Sequence, residues 1–476
     1  MGESGTTAPL RTIAPEERRA RLAVRHRLAG AARAATAEEV ADSLVALHAT
    51  DPATVFLAAG ARLAPGRDPV AEVERALYGE GAGYREGAKP GSGIVPGNGI
   101  TPDGGTPPDG GTTSNGGTPP DEGTTSAEGT TSAESGAFRR ASTALTRMHG
   151  MRHTVFVVPS RLAAVVHAST ADAASARERA RLVKQLVAGS DYDAAWLAET
   201  ERQVLAELAA RGEATGTELG AAVPRLRAQY VYGVGTSQEG PQSVGSRVLR
   251  VLGMEGRIVR GRPQGGWTSS RFRWAPAPPY AELAPDEAQA ELVRHWLAAY
   301  GPATEADLKW WTGWKATDVR RALAAVGAVR VALADEAGTG AGSGAGAGAG
   351  PEVVGYLLPD DLDPVPAPEE PWAALLPALD PTPMGWQSRD WYLDPAHRAA
   401  LFDRSGNIGP TVWWNGRIVG GWAQRADGEV VWRALAELDG EAVRAVDAEA
   451  ARLADWVGAV RVTPRFRTPL EKELTS

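Results

Sequence analysis

The sequence predicts an α+β chain built from repeated small modules rather than around one large sheet. Helical runs recur in groups of three, and each clear group is followed by a pair of short strand-like runs. Near the C-terminus, the strand-like runs TVWW and RIVGGW are separated by Asn415-Gly416, which favours a type I′ hairpin because both residues tolerate positive φ. Two low-complexity segments interrupt this pattern. From about Glu86 to Ala137 the chain repeats TPPDGGTTS-like units with almost no large apolar side chains, so it cannot bury enough surface to offset its ordering entropy. From Gly338 to Gly350 it is a GTGAGSGAGAGAG run. Both are expected to be disordered insertions in loops, where length costs little free energy.

The elements follow in order. The N-terminal region is expected to form helices over Ala14–Leu28, Ala37–His48 and Pro52–Ala64. Val40, Leu44 and Leu47 give the second of these a buried stripe at i, i+4, i+7, with His48 beside it at the helix end. Asp51 is placed to cap the next helix, with Pro52 in its first turn. After the insert, RMHGMRHTVFVVP leads into an apolar strand. A second group begins with an amphipathic helix over Trp196–Arg211, in which Trp196, Leu197, Val204, Leu205 and Leu208 recur at helical spacing. Short helices near Thr217–Ala222 and Ser243–Met254 follow, then RIVRGR and SRFRWAP flank the turn PQGGW. A third group runs Glu287–Tyr300, Thr304–Trp311 and Lys315–Val326, then VRVAL and EVVGYLL. Helix, helix, helix, two-stranded wing is the winged-helix order, and its third helix, here SVGSRVLRVLGM, is the candidate recognition helix.

Composition narrows the function. A chain of 476 residues with 43% hydrophobic content is long enough for several cores, and it contains no cysteine. Disulfides, thiolate zinc sites and cysteine nucleophiles are therefore excluded. No stretch approaches a membrane span and the N-terminus lacks a signal-peptide core, so the expected location is cytoplasmic. The start MGESGT resembles a myristoylation site only superficially. The net charge of −8 argues against wholesale coating of nucleic acid, but Arg225 to Arg273 holds nine arginines against Glu239 and Glu255 alone. Arginine suits bidentate phosphate and base-edge contacts. The acidic excess lies elsewhere, notably at Asp360, Asp361, Asp363, Glu369 and Glu370.

LLPALD, LFDRSGNIGPTV and NGRIVGGW, all between residues 375 and 422, resemble the C-terminal module of the winged-helix DNA glycosylases of the AlkZ/YcaQ type. That resemblance implies three tandem winged-helix domains followed by a small C-terminal β-barrel-like module. The corresponding division is 10–85 (winged-helix-like, with the catalytic segment), 86–137 (insert), 138–190 (connector), 191–280 and 281–371 (winged helices), and 372–470 (β-module and C-terminal helix). It also implies excision of bulky alkylated purines from double-stranded DNA, with crosslink unhooking within the family's range. The expected protein is monomeric and nucleoid-associated, with no cofactor, no metal and no membrane partner. LVALHATDPATVFLAAGARL resembles the family's catalytic segment, where a Gln-aliphatic-Gln or Gln-aliphatic-Asp triplet positions the water that attacks the anomeric carbon.

Here the two functional positions are His48 and Thr50. Imidazole can take a proton from water near neutral pH, whereas threonine can only orient it. A structural alternative stands beside this one: a helix-end histidine favoured by the dipole, and a threonine helping to cap the next helix. No lysine near the triplet suggests a Schiff base, so a lyase step is not expected. Expected DNA contacts are Arg147, His149 and Arg152 behind the catalytic helix, and Arg247, Arg250, Arg260, Arg262 and Arg271 in the second module. Arg417 beside the Asn-Gly turn suits the negative minor groove.

Other patterns carry less. His149 and His153 lack the acidic partner of a zinc helix, GVGTSQEG lacks the Lys-Ser/Thr of a phosphate loop, and Asp360-Asp361-Leu362-Asp363 reads as a solvated acidic loop. The rival function is a non-catalytic DNA-binding protein, a regulator or lesion sensor, on the same scaffold.

Overall fold

The computed structural model describes residues 10–79, 143–334 and 353–476; the inserts expected at 86–137 and 338–350 lie outside the described residues. After β1 (Thr12–Ile13) and α1 (Pro15–Arg25), the chain forms α2 (Ala37–Ser43), β2 (Leu47–His48), α3 (Pro52–Gly60) and α4 (Pro69–Tyr78). Beyond the insert come β3 (Leu145–His149) and β4 (Val155–Pro159), then α5 (Ala163–Val166) and α6 (Asp172–Gly189), joined by a π-helical turn. The next group is α7 (Ala194–Arg211), β5 (Ala214–Thr215), α8 (Gly216–Ala222), the hairpin β6 (Gln229–Tyr232) and β7 (Gly240–Ser243), α9 (Val244–Met254), β8 (Ile258–Pro263) and β9 (Phe272–Pro276). A further group is α10 (Pro285–Tyr300), α11 (Glu305–Thr312), α12 (Ala316–Ala325), β10 (Val329–Leu333) and β11 (Val353–Leu357). The C-terminal part is β12 (Ala373–Leu376), α13 (Arg398–Leu401), β13 (Thr411–Trp414), β14 (Arg417–Gln424), β15 (Val430–Ala434), α14 (Gly440–Val457) and α15 (Pro469–Thr475).

The small sheets share one order. In the first, β2-β4-β3, and in the second, β5-β9-β8, the earliest strand pairs with the latest. In the third, Ala303 bridges Tyr356 of β11, which pairs with β10, and β1 adds a parallel edge. Local chemistry sets these starts. Thr215 with Glu218, and Thr304 with Asp307, form reciprocal capping boxes at α8 and α11.

The C-terminal sheet is an open antiparallel meander, β12-β13-β14-β15, in place of the barrel-like closure expected for this module. Its β13–β14 turn has φ of 46° at Asn415 and 84° at Gly416, as the Asn-Gly rule predicts. Trp413 is fully buried and stacks on Tyr392, whereas Trp414 is half-buried.

One buried cluster joins α1, α10–α12 and the C-terminal module through Trp296, Tyr300, Trp311, Trp386, Trp391 and Tyr392. At its edge Arg62 and Asp380, both with no solvent exposure, pair bidentately at 2.7 and 2.8 Å. Arg62 Nη2 also donates to Thr382 Oγ1, and Nε to the His26 carbonyl. Asp361 pairs with Arg21 and Arg25, which accounts for the acid at the centre of the 360–363 run.

Candidate functional site: a cationic face around the His48 strand

The segment carrying the candidate triplet differs from its expected form. α2 stops at Ser43, where Val45, at φ 62°, turns the chain out of the helix. Leu47 and His48 then pair with Val157 and Phe156 as strand β2, and Ala49 N–H continues the ladder to the Val155 carbonyl at 2.8 Å. The apolar spacing of Val40, Leu44 and Leu47 therefore covers a helix, a turn and a strand, all facing one core. His48 ends no helix, so a dipole does not explain it. Being extended, this run places residues 48 and 50 on one side.

His48 is buried (5% exposed), with its ring edge-on to Phe156 at 5.0 Å. Burial, and then the nearby Arg152 charge, push its imidazole down to about 3, so it is neutral at physiological pH. Its Nδ1 and the Thr50 Oγ1 are both buried with no hydrogen-bond partner among the described residues. Asp51 caps α3 as expected, with Oδ1 accepting from Ala53 N–H; its Oδ2 accepts from Arg465 N–H at 3.0 Å.

Arginines packed on aromatic rings fall into two groups, one with Arg152, whose charge acts on His48, and one with Arg147 on β3 of the same sheet. Arg152, held at φ 51°, stacks on Trp310 at 4.3 Å, and Arg389 lies over the same ring at 4.8 Å. Burial and the Arg389 charge push Arg152 down to about 10. Arg18 stacks on Trp391 at 4.1 Å and is likewise pushed down to about 10 by burial. Neither Arg389 nor Arg18 was foreseen from the sequence. The signal available was an arginine set among tryptophans in GWQSRDW.

In the second group Arg147 lies over Phe272 at 4.7 Å and donates to Tyr78 Oη at 3.3 Å. Arg260 lies over Phe272 and Trp274, while Arg262 covers Tyr78 and faces Glu74 at 3.6 Å. His149 is buried, and burial with Arg260 and Arg250 pushes it down to about 3. Among the described residues no carboxylate lies within ion-pair distance of Arg18, Arg147, Arg152, Arg260 or Arg389.

The remaining expected residues are dispersed. Arg271 is exposed on the β8–β9 loop and Arg417 is exposed beside the β13–β14 turn. Arg247 is buried on α9 and paired with Glu178 at 2.9 Å, with Arg250 beside the same acid. Most of α9 is buried, with Ser246 exposed, so this helix presents little surface to any ligand. The GVGTSQEG loop joins β6 to β7 and is occupied by Glu239, whose Oε2 accepts from Gly235 N–H. Among the described residues, no group of three or more His, Asp or Glu side chains is placed to hold a metal, and no helix is long and apolar enough to cross a membrane.

The site thus gathers guanidiniums packed on aromatic rings, five of them with no carboxylate within ion-pair distance among the described residues. Residues 129–456, more than two thirds of the chain, match the model of the family described as DNA glycosylase AlkZ-like, and the chain belongs to that family. The matched span begins after His48 and Thr50. Among solved structures the fold is similar to that of Streptomyces sahachiroi DNA glycosylase AlkZ, with a TM-score of 0.58 and 18% identity over 95% of this chain and 99% of that one. No curated protein sequence matches.

Proposed function

We propose that this chain is a monofunctional N-glycosylase acting as a monomer on double-stranded DNA, excising bulky alkylated purines and unhooking crosslinks made through them. The observation that carries this reading is a family scaffold in which His48 Nδ1 and Thr50 Oγ1, two residues apart and both buried, have no partner, with the Arg152 charge acting on His48. The shared sheet order supports reading the three helix–sheet groups as tandem winged helices, the first closed by β3 and β4 from beyond the insert. Arg147, Arg152, Arg260, Arg271 and Arg417 are the proposed DNA contacts, with Arg389 added. Arg247 is set aside because Glu178 already neutralises it.

In the proposed reaction Thr50 anchors a water and neutral His48 accepts its hydrogen bond. The C1′–N bond breaks with its electron pair neutralising the cationic alkylpurine, the water oxygen bonds to C1′, and the proton passes through His48 to solvent. An imidazole titrating near 3 is a weak base, which suits a leaving group that already carries positive charge. Base release is therefore expected to be flat from about pH 5 to 8, with the low-pH limb set below that range by His48.

The deciding measurement is release from a duplex carrying one N7-alkylguanine. His48→Ala should slow release by roughly 100-fold or more while duplex binding persists. Undiminished release would remove His48 from the chemistry. Tight binding by the wild type without release would favour the second reading, a lesion-binding protein on this scaffold, to which the burial of His48 gives its support.

A further inference from the structure

The third helix of a winged-helix group ordinarily enters the DNA groove, but here only Ser246 of α9 is exposed. Helix α6 packs against α9: its Glu178 pairs with Arg247 at 2.9 Å, and its Arg179 pairs with Glu255 just past the end of α9. The outer side of α6 is therefore a surface that the second group does offer to solvent. We propose that this side, through Arg177, Arg181 and Lys184, is a track for the duplex backbone flanking the lesion, so that the second group holds DNA by its connecting helix in place of its recognition helix. The inference rests on the duplex-DNA reading for its partner.

The three cations stand at i, i+4 and i+7, which places them in one narrow arc of the helix, and all three are exposed. They span about 10 Å along the axis, enough to follow neighbouring phosphates of one strand. Among the described residues none of them has a carboxylate within ion-pair distance. The acids of α6 are turned elsewhere: Glu178 holds Arg247, and Asp172, in the first turn, acts on His167. A merely solvated helix face usually mixes both signs, whereas this arc carries cations alone. Ala180 and Ala188 are the exposed residues beside them, so no long side chain stands between the cations and a duplex. Arg181 donates to Tyr232 Oη at 3.2 Å, which ties the arc to the β6–β7 hairpin. The arc is also continuous with the candidate site. Partial burial, and then the charges of Arg177 and Arg250, lower the His153 imidazole; His153 follows Arg152, whose charge acts on His48.

The test uses the full chain and an undamaged duplex. The combined change Arg177→Gln, Arg181→Gln and Lys184→Gln leaves helix propensity almost unaltered, since glutamine ranks beside arginine and lysine. Its slope of log K against log salt should be about 2–3 units shallower than that of the wild type. A control with Arg320→Gln, Arg321→Gln and Arg330→Gln removes the same charge from exposed positions of the third group and should keep the wild-type slope. An unchanged slope in the first variant, or an equal change in both, overturns the proposal. Should the first variant fail to fold, Lys184 of the wild type decides instead: added duplex should shield its amine from acetylation, and undiminished labelling overturns the track. Neither readout involves base release, so a failed track leaves the glycosylase reading standing, whereas a wild type without duplex affinity overturns both.

Discussion

Replacing Asp380 by Ala is expected to cost about 3–5 kcal/mol, the usual penalty for stripping one partner from a buried ion pair. The reason lies in what Arg62 would lose. Its guanidinium is wholly buried and makes two of its hydrogen bonds to this carboxylate, at 2.7 and 2.8 Å. The same carboxylate accepts from Thr382 N–H at 2.9 Å, which shapes the turn in LDPTPM after Leu379, a residue at φ 59°. Without Asp380, Arg62 retains the His26 and Ala58 carbonyls and Thr382 Oγ1, but no opposite charge. The double change Arg62→Met with Asp380→Leu should recover most of the loss, because it removes both charges. Thermal unfolding of the wild type and the two variants checks this. A single-variant loss below about 1 kcal/mol would mean that the pair is not buried as described.

Acidification should destabilise the chain well before the ordinary carboxylate range. His48 and His149 are each pushed down to about 3 from 6.5, chiefly by burial, and His26 is lowered in the same direction by burial and by Arg62. For such groups the unfolded chain binds protons that the folded chain refuses. Stability is therefore level above about pH 6.5 and falls as pH drops below it. His26 adds to the fall in the same direction. Asp51, Glu74 and Glu201, raised by burial, act oppositely and offset part of this at the acid end. Melting temperature measured between pH 8 and pH 5 reads the effect directly. A flat profile over that interval would show that these imidazoles are open to water.

Much of the helical scaffold was legible because its signals are local. The Trp196–Arg211 periodicity became Ala194–Arg211, and Asn415-Gly416 formed its turn, since each needs only nearby residues. The strand carrying His48 was misread because its pairing partner, Phe156, lies more than a hundred residues away and short apolar runs fit helix and strand alike. The candidate site was legible only as a set of residue types. Arg147 and Arg152 could be picked from RMHGMRH, but sequence cannot show that Arg152 shares the Trp310 ring with Arg389. Nor could it separate Arg260, which lacks an acidic partner, from Arg247, which has Glu178. Charge compensation depends on tertiary neighbours, and the Arg225 to Arg273 count treated every arginine alike.

The long-range pairings also order events during synthesis. Strand β2 has its first sheet neighbour only when residues 155–159 have emerged, and Arg62 meets its counter-charge 318 residues downstream. An elongating chain thus carries an unneutralised cation through most of its translation, and a product terminated before residue 380 never acquires the partner. Messages cut short in the second or third helical group should yield polypeptides that proteases and chaperones recognise as incomplete, leaving full-length chains as the ones that persist.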